Sequence, residues 1–204
     1  MNKIIKILIT SNSFVNAADG FLAPVFAIFI ISKIAPGQIK IAGIALAIYW
    51  LVKSVIQLPL SRYLDKHQGE KDDLGALIFG SFLFSIVPLF YIFVFKPWQL
   101  FLVQGLMALA GALYVIPWYS IFTRHVDKFR IGFEWSINSG ALGIGIVITT
   151  FSAGFLADEF GFNIVFILAS IFYFIATFLN IFLYKFLIKR DKLEKVFPER
   201  RHIR

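Results

Sequence analysis

Six long apolar runs dominate the sequence and constrain its fold more than any other feature. They cover residues 4–31, 39–60, 74–95, 98–122, 135–157 and 163–188. A helix crosses the hydrocarbon core of a bilayer with roughly 20 apolar residues, whereas a strand of a membrane barrel uses about 9–11 with alternating polarity. The run lengths therefore predict an all-α polytopic membrane protein with six transmembrane helices.

The composition leaves little material for structure outside the membrane. Of the 204 residues, 59% are hydrophobic and 16% are charged, whereas an average soluble domain has about 25% charged residues. The chain contains no cysteine, and its three histidines have no metal-ligand spacing. We therefore expect no soluble catalytic domain, no enzyme activity, no metal site and no cofactor.

Lysine and arginine are distributed unevenly between the two sides of the predicted bundle. Sixteen of the twenty lie at the N-terminus, after spans two and four, or at the C-terminal end of span six and beyond it. Three lie in the opposite loops, at Lys33, Lys40 and Lys96. Because positive residues are retained on the cytoplasmic side, we predict a multi-pass protein of the plasma membrane with both termini in the cytoplasm.

The same charges bear on domains and partners. We predict a transmembrane bundle at residues 1–190 and a basic cytoplasmic tail at residues 191–204. The formal net charge is +8, but the positive residues lie in loops and in the tail rather than on one amphipathic face. We therefore expect contact with the lipid bilayer and no nucleic-acid partner.

Two charged residues lie deep inside predicted spans. Asp19 is in the first span and Lys53 is in the second. A charge at the centre of a membrane helix costs about 2.5–3.5 kcal/mol on insertion scales. Their positions allow an ion pair between the two helices. Such a pair either lines a cavity as a site for a substrate or a coupling proton, or holds the helices together; the sequence leaves both readings open.

Polar side chains also recur at helical spacing on spans one and two, and a weaker stripe on span five includes Asn138. Such stripes either line a water-filled path or serve as contacts between helices, since Asn and Gln stabilise helix packing in lipid. The predicted substrate or ion path comprises Asn12, Asn16, Asp19, Tyr49, Lys53, Gln57 and Asn138.

Two further patterns concern packing and position in the membrane. Span five carries closely spaced glycines that predict close helix packing, at Gly140, Gly143 and Gly145. Tryptophans near span ends are typical of anchors at the membrane interface, and this role is predicted for Trp98, Trp118 and Trp135.

A short pattern occurs twice, three spans apart. Residues 61–69 at the end of span two read SRYLDKHQG, and residues 154–161 at the end of span five read GFLADEFG. In both copies an Asp follows a small residue by four positions, from Ser61 to Asp65 and from Gly154 to Asp158. Because three spans separate the copies, they face opposite sides of the membrane, which predicts a 3+3 inverted repeat.

Several segments follow the pattern of a known transporter family in order along the chain. Asp65, Lys66, Gly69 and Lys71 are similar to its loop between helices two and three, and residues 154–166 are similar to its junction of helices five and six. In these segments the chain resembles the amino-terminal six-helix half of the major facilitator superfamily. The resemblance implies half of a major facilitator fold, a small-molecule solute, and a cytoplasmic gate formed by Asp65, Lys66, Arg124, Asp127 and Arg130.

The sequence departs from that family at two places. Phe101 lies three residues before Gln104, where the family often has Arg, and Thr149 and Thr150 occupy the place of a Gly-Pro signature common in antiporters. The resemblance therefore does not imply proton-driven antiport.

Three functional hypotheses follow. The first is a half-size secondary transporter that moves a small solute by alternating access, as a parallel homodimer or with a second six-helix chain. The second is a non-transporting membrane scaffold or assembly protein. The third is the amino-terminal half of a longer twelve-helix transporter, in which the basic tail would begin a central loop.

Overall fold

The computed structural model describes residues 1–66 and 70–196, with side chains described as far as residue 187. All six helices are long and apolar enough to cross a membrane, and no strand occurs in the described residues. The prediction of an all-α protein with six membrane-spanning helices is therefore confirmed. The helices are α1 Lys3–Phe29, α2 Ile39–Lys66, α3 Glu70–Phe90, α4 Pro97–His125, α5 Ile131–Phe160 and α6 Phe162–Val196.

Two helices end irregularly, and two predicted features fall partly outside the described residues. A π-helical turn at Ile30–Ile34 ends α1, and a 3-10 turn at Tyr91–Phe93 ends α3. The predicted tail begins within α6, and its residues 197–204 lie outside the described part, as do His67 and Gly69 of the first short pattern.

Local sequence explains several helix boundaries. The side-chain oxygen of Asn2 accepts a hydrogen bond from the backbone N–H of Ile4 at 3.3 Å, which caps α1. Pro97 opens α4, where its missing N–H costs no helical hydrogen bond. The sharp turn between α5 and α6 requires Gly161, because its φ of 81° is unfavourable for any residue with a side chain.

The helices pack in an open series. α2 packs against α4, α4 against α3, α3 against α6, α6 against α1, and α1 against α5. α1 and α4 are the most buried helices, whereas α2 and α5 stand at the two ends of the series and are mostly exposed. The side of the bundle between α2 and α5 is called the open face, and Asp19 is exposed there. Helical spacing puts the exposed Leu46 and Trp50 on the same side of α2 as Lys53. On α5 the exposed Gly143 and Val147, four residues apart, are assigned to the same face because Gly145 and Thr150 point toward α1.

Glycine allows two of the helix contacts to be close. A Cβ atom on Gly80 of α3 would lie 2.6 Å from the backbone nitrogen of Tyr114 on α4. On α5, Gly145 lies against α1, with its ideal Cβ position 3.4 Å from Ala17, whereas Gly140 and Gly143 have no described atom within 4 Å of that position. The prediction of close packing is therefore right for Gly145 and wrong for the other two, which face away from α1.

The tryptophans differ from one another in position. Trp98 is 57% exposed, as expected of an interfacial anchor. Trp118 is buried, and its indole N–H donates to the carbonyl of Leu8 at 3.2 Å. Trp118 is therefore a packing residue that ties α4 to α1, and its predicted role as an anchor at the membrane interface is wrong. Trp135 is partly buried against the ring of Phe122, with centroids 4.5 Å apart.

Positive charge collects at one end of the bundle. The start of α3 and the end of α4 meet there, because Arg124 forms an ion pair with Asp73. The start of α1 reaches the same end through the bond from Trp118 to Leu8. This end is called the basic end, and its described Lys and Arg residues include Lys3, Lys6, Arg62, Lys66, Arg124, Lys128 and Arg130.

Candidate functional site

Asp19 lies in the middle of α1 and is exposed on the open face. Its carboxylate accepts a hydrogen bond from the hydroxyl of Tyr173, which lies on α6 and is fully buried. The ring of Tyr173 stacks on Phe84 of α3, with centroids 4.9 Å apart. The carboxylate is therefore held by a tyrosine whose own position is fixed by packing against a third helix.

Lys53 lies half-buried on α2 and contacts aromatic side chains of its own helix. Its ammonium donates a hydrogen bond to the hydroxyl of Tyr49 at 3.3 Å and lies 4.9 Å from the ring centroid of Trp50. An ammonium over an aromatic face is attracted by the ring quadrupole. Gly111 of α4 provides room for this arrangement, since a Cβ there would lie 3.0 Å from the Tyr49 oxygen.

The predicted direct ion pair between Asp19 and Lys53 does not form. The opposite charges attract each other across the open face, but neither makes an ion pair within 4.0 Å among the described residues. The physical reason is the helix packing: α1 packs on α5 and α6, α2 packs on α4, and α1 and α2 contact each other little. Each charge is instead hydrogen-bonded to a tyrosine.

A polar network joins α1, α4 and α5 around Asn12, two helical turns before Asp19 on α1. The side-chain amide of Asn12 donates to the side-chain oxygen of Asn138 at 3.2 Å. The amide of Asn16 donates to the backbone and side-chain oxygens of Asn12 at 2.8 and 3.1 Å. The hydroxyl of Tyr114 donates to Asn12 at 3.4 Å. The structure thus brings three of the predicted path residues together.

Gln57 is the predicted path residue whose side chain makes no hydrogen bond among the described residues. It lies half-buried on α2, one helical turn after Lys53. The six other predicted path residues all take part in the two polar groups above.

The basic end carries a different set of polar contacts. Arg124 at the end of α4 forms an ion pair with Asp73, which is buried in the first turn of α3. The neighbouring His125 places Nε2 3.4 Å from a carboxylate oxygen of Glu70, also on α3. In the α4–α5 loop, the backbone N–H of Asp127 donates to the buried Glu134 at 3.1 Å.

Two of the five predicted gate residues make these contacts, namely Arg124 and Asp127. The side chains of the other three, Asp65, Lys66 and Arg130, are exposed. None of these three forms an ion pair within residues 1–66 and 70–187. In the same described part, no group of three metal-ligating side chains comes together.

Most of the chain matches a known protein family. The family model of the Major Facilitator Superfamily matches residues 8–202. The chain belongs to the Major Facilitator Superfamily. No curated protein matches the chain. Membership confirms the resemblance predicted from sequence, and together with six long apolar helices it fits a half-size major facilitator fold. This is a family of multi-pass membrane transporters and not of enzymes.

The two departures from the facilitator pattern have structural roles in this chain. Phe101 is half-buried and packs against the hydrophobic core. The hydroxyl of Thr150 donates to the backbone carbonyl of Gly20 at 3.1 Å and so joins α5 to α1. The neighbouring Thr149 is buried and bonds within its own helix.

Sequence reasoning missed several of the hydrogen-bond partners in these polar groups. Tyr173 and Tyr114 bind Asp19 and Asn12, but a tyrosine within an apolar span gives no signal by itself. Tyr91 is similar: its hydroxyl donates to Gln104 at 3.3 Å, and both side chains are buried. Asp73 and Glu70 could have been noticed, because they form an acidic first turn opposite the basic end of α4.

Proposed function

We propose that the protein is a half-size secondary transporter, which moves a small solute across the plasma membrane by alternating access. The observation that supports this proposal is that Asp19 and Lys53 both lie within helices long and apolar enough to span a membrane, with Asp19 exposed on the open face. An ionisable group within such a helix is costly unless it faces water or a partner. The predicted path residues then line the solute route, with or without a coupling proton.

A second six-helix unit is needed on the open face. If the open face lay against lipid, Asp19 would be exposed to hydrocarbon. α2 and α5 would also lack packing partners along most of their length. Glycines on this side, such as Gly43 and Gly143, also have no atom of the described residues within 4 Å of an added Cβ. We infer a parallel homodimer or a complex with another six-helix chain, since alternating access needs two bundles that move about a central site.

The 3+3 inverted repeat is supported by the order of packing. If α1 is exchanged with α4, α2 with α5 and α3 with α6, the observed series of contacts is reproduced in reverse. Corresponding helices begin at similar separations, at Lys3 and Pro97, Ile39 and Ile131, and Glu70 and Phe162. We infer that the two halves are repeats of one three-helix unit.

The orientation is inferred from the charges. If the basic end faces the cytoplasm, both termini are cytoplasmic, and Asp65, Lys66 and the α4–α5 loop lie where a cytoplasmic gate would act. The ion pair between Arg124 and Asp73 then joins two helices on that side. A parallel arrangement of two copies follows, because the charge bias gives every copy one orientation.

Uptake into proteoliposomes tests the proposal. A panel of labelled small solutes is offered with and without a pH gradient, which also reports on proton coupling. We expect Asp19→Asn and Lys53→Met to lower uptake at least tenfold, while Asp72→Asn and Lys40→Met, which change exposed residues of the same types outside the site, leave it unchanged. Full uptake by folded Asp19→Asn and Lys53→Met proteins would show that the site is misassigned.

The scaffold alternative predicts a folded protein that transports no solute and purifies with a different protein. The reading of the chain as half of a twelve-helix transporter predicts that the open reading frame continues into six further spans. The mass of the detergent-purified particle separates a monomer from a dimer.

A further inference from the structure

Asp19 and Lys53 carry opposite charges on helices at the edge of the open face. Asp19 accepts a hydrogen bond from Tyr173 of α6, and Lys53 donates one to Tyr49 of its own helix. Each charge therefore has a separate neutral partner. Each charge favours the ionised form of the other, but neither forms an ion pair within 4.0 Å among the described residues.

A purely structural pair would be arranged differently. Two opposite charges removed from water are stable when they meet directly and their remaining hydrogen bonds are filled. Here Lys53 rests on the ring of Trp50, which is 60% exposed, and Asp19 is itself exposed on the open face. Both charges can therefore be reached from the same side by a molecule lying between α1 and α2.

We propose that the solute is zwitterionic: its anionic group binds the Lys53 ammonium, and its ammonium binds the Asp19 carboxylate. This inference rests on the proposed function, since it assigns a substrate class to the same path. A solute with both charges satisfies both side chains at once. An anion would leave the Asp19 carboxylate without a positive partner within its span, and a cation would leave Lys53 without a counter-ion.

The surroundings favour a small solute with an apolar or aromatic portion. Trp50 and Tyr49 flank the ammonium, and ring faces of this kind give broad apolar contact. The absence of a side chain at Gly111 fixes how closely Tyr49 approaches α4. A zwitterion neutral overall also enters a low-dielectric site at lower cost than an ion of either sign.

Binding of charge-matched series to the purified protein in nanodiscs tests the inference. One series is L-leucine, 3-methylbutylamine and 4-methylpentanoate; the second is L-phenylalanine, 2-phenylethylamine and 3-phenylpropanoate; a third varies the charge separation with β-alanine and 4-aminobutanoate. We expect at least one zwitterion to bind tenfold or more tightly than its amine and carboxylate analogues, measured by thermal shift and by competition.

The variants should change the charge preference in opposite directions. Asp19→Asn should lose tenfold or more in zwitterion affinity and shift preference toward the carboxylate, whereas Lys53→Met should shift it toward the amine. Asp19→Glu and Lys53→Arg keep the charges and should still prefer the zwitterion. They serve as controls that separate an effect of charge from a loss of folding. Equal or tighter binding of a singly charged analogue, an unchanged preference in the variants, or no binding by any series would overturn the proposal.

Transport measured in parallel separates this inference from the proposed function. Zwitterion binding without counterflow into proteoliposomes would support the solute class and contradict transport. Uptake of a singly charged solute that depends on only one of the two side chains would support transport and overturn the zwitterion class.

Discussion

At the scale of single residues, the hydroxyl of Tyr173 holds the Asp19 carboxylate in place. Tyr173→Phe keeps the stacking on Phe84 and removes this donor. We expect the free energy of unfolding to fall by about 1.5–3 kcal/mol, the range for hydrogen bonds to charged groups. Reversible unfolding in mixed detergent micelles measures the change. Tyr184→Phe is the matched control, because Tyr184 lies half-exposed on the same helix and should have no effect.

Gly80 gives a prediction about packing rather than polarity. Because a Cβ at this position would lie within 3 Å of the α4 backbone, Gly80→Ala should separate α3 from α4. Overpacking of this kind costs about 1–3 kcal/mol and outweighs the gain of up to about 1 kcal/mol from better helix propensity. Thermal unfolding should show a lower midpoint.

Gly105→Ala provides the comparison for Gly80→Ala. Gly105 lies within α4, and no atom in the described part of the chain is within 4 Å of an added Cβ, so only the propensity gain remains and stability should stay equal or rise. If the Gly80→Ala protein were as stable as the Gly105→Ala protein, the inference that α3 and α4 are in close contact at Gly80 would be wrong.

The sequence identified the charges of the candidate site and one of their two tyrosine partners. Asp19 and Lys53 are conspicuous because a charge within a span is costly wherever it points. Tyr49 was predicted because it lies four residues before Lys53 on the same helix face, whereas Tyr173 gave no signal, since Tyr also occurs in apolar surroundings for packing alone. The prediction for Trp118 was wrong for a related reason. An indole near a span end can lie at the membrane interface or make a buried hydrogen bond, and the position of α1 decides between the two.

At the scale of helices, α3 and α4 are joined at the basic end by Arg124 and Asp73. Asp73 is 2% exposed and Arg124 is 41% exposed. Arg124→Gln leaves a buried carboxylate without its counter-ion. We expect a loss of about 1–3 kcal/mol, below the range for fully buried pairs because Arg124 is partly in solvent. Unfolding midpoints of the variants provide the measurement.

A double-mutant cycle isolates the interaction between these two helices. Arg124→Gln combined with Asp73→Asn removes both charges, so the pair of changes should cost less than the sum of the single ones. Asp72→Asn is the control, since Asp72 is exposed in the same helical turn. Strictly additive losses would mean that the two side chains do not interact in the membrane-bound protein.

Helix number and approximate bounds were predictable, whereas helix ends were not. Continuous apolar runs state the number of spans directly. The runs do not state where a helix continues into polar sequence, so the predicted third span began at residue 74, although α3 starts at Glu70. That first turn of α3 supplies Glu70 and Asp73, and the omission hid the contacts with α4.

At the scale of the whole molecule, the packing series is incomplete on one side. α1 and α4 are the most buried helices of the series, whereas the open face exposes both apolar surface and Asp19. The sequence predicted a half-size bundle from its family resemblance. It could not locate this face, because which side of a helix meets its neighbour depends on the order of packing rather than on composition.

A homodimer through the open face predicts a specific pattern of cross-links. The chain has no cysteine, so single cysteines can be introduced without background. Leu46→Cys on α2 and Val147→Cys on α5 both lie on the open face, at 47% and 69% exposure. When the two variants are produced together in membranes and treated with a short bismaleimide, we expect a band near twice the chain mass of 23.2 kDa.

Phe79→Cys on α3 and Phe178→Cys on α6 serve as controls, because they are similarly exposed, at 53% and 66%, but lie outside the open face. If the dimer forms through the open face, the Phe79→Cys and Phe178→Cys proteins should remain monomers. Random collisions in the membrane would instead cross-link all four positions alike. Cross-linking confined to Phe79→Cys and Phe178→Cys would place the interface on the opposite side. A heavier adduct with a different protein at Leu46→Cys or Val147→Cys would contradict the homodimer and show that another chain covers the open face.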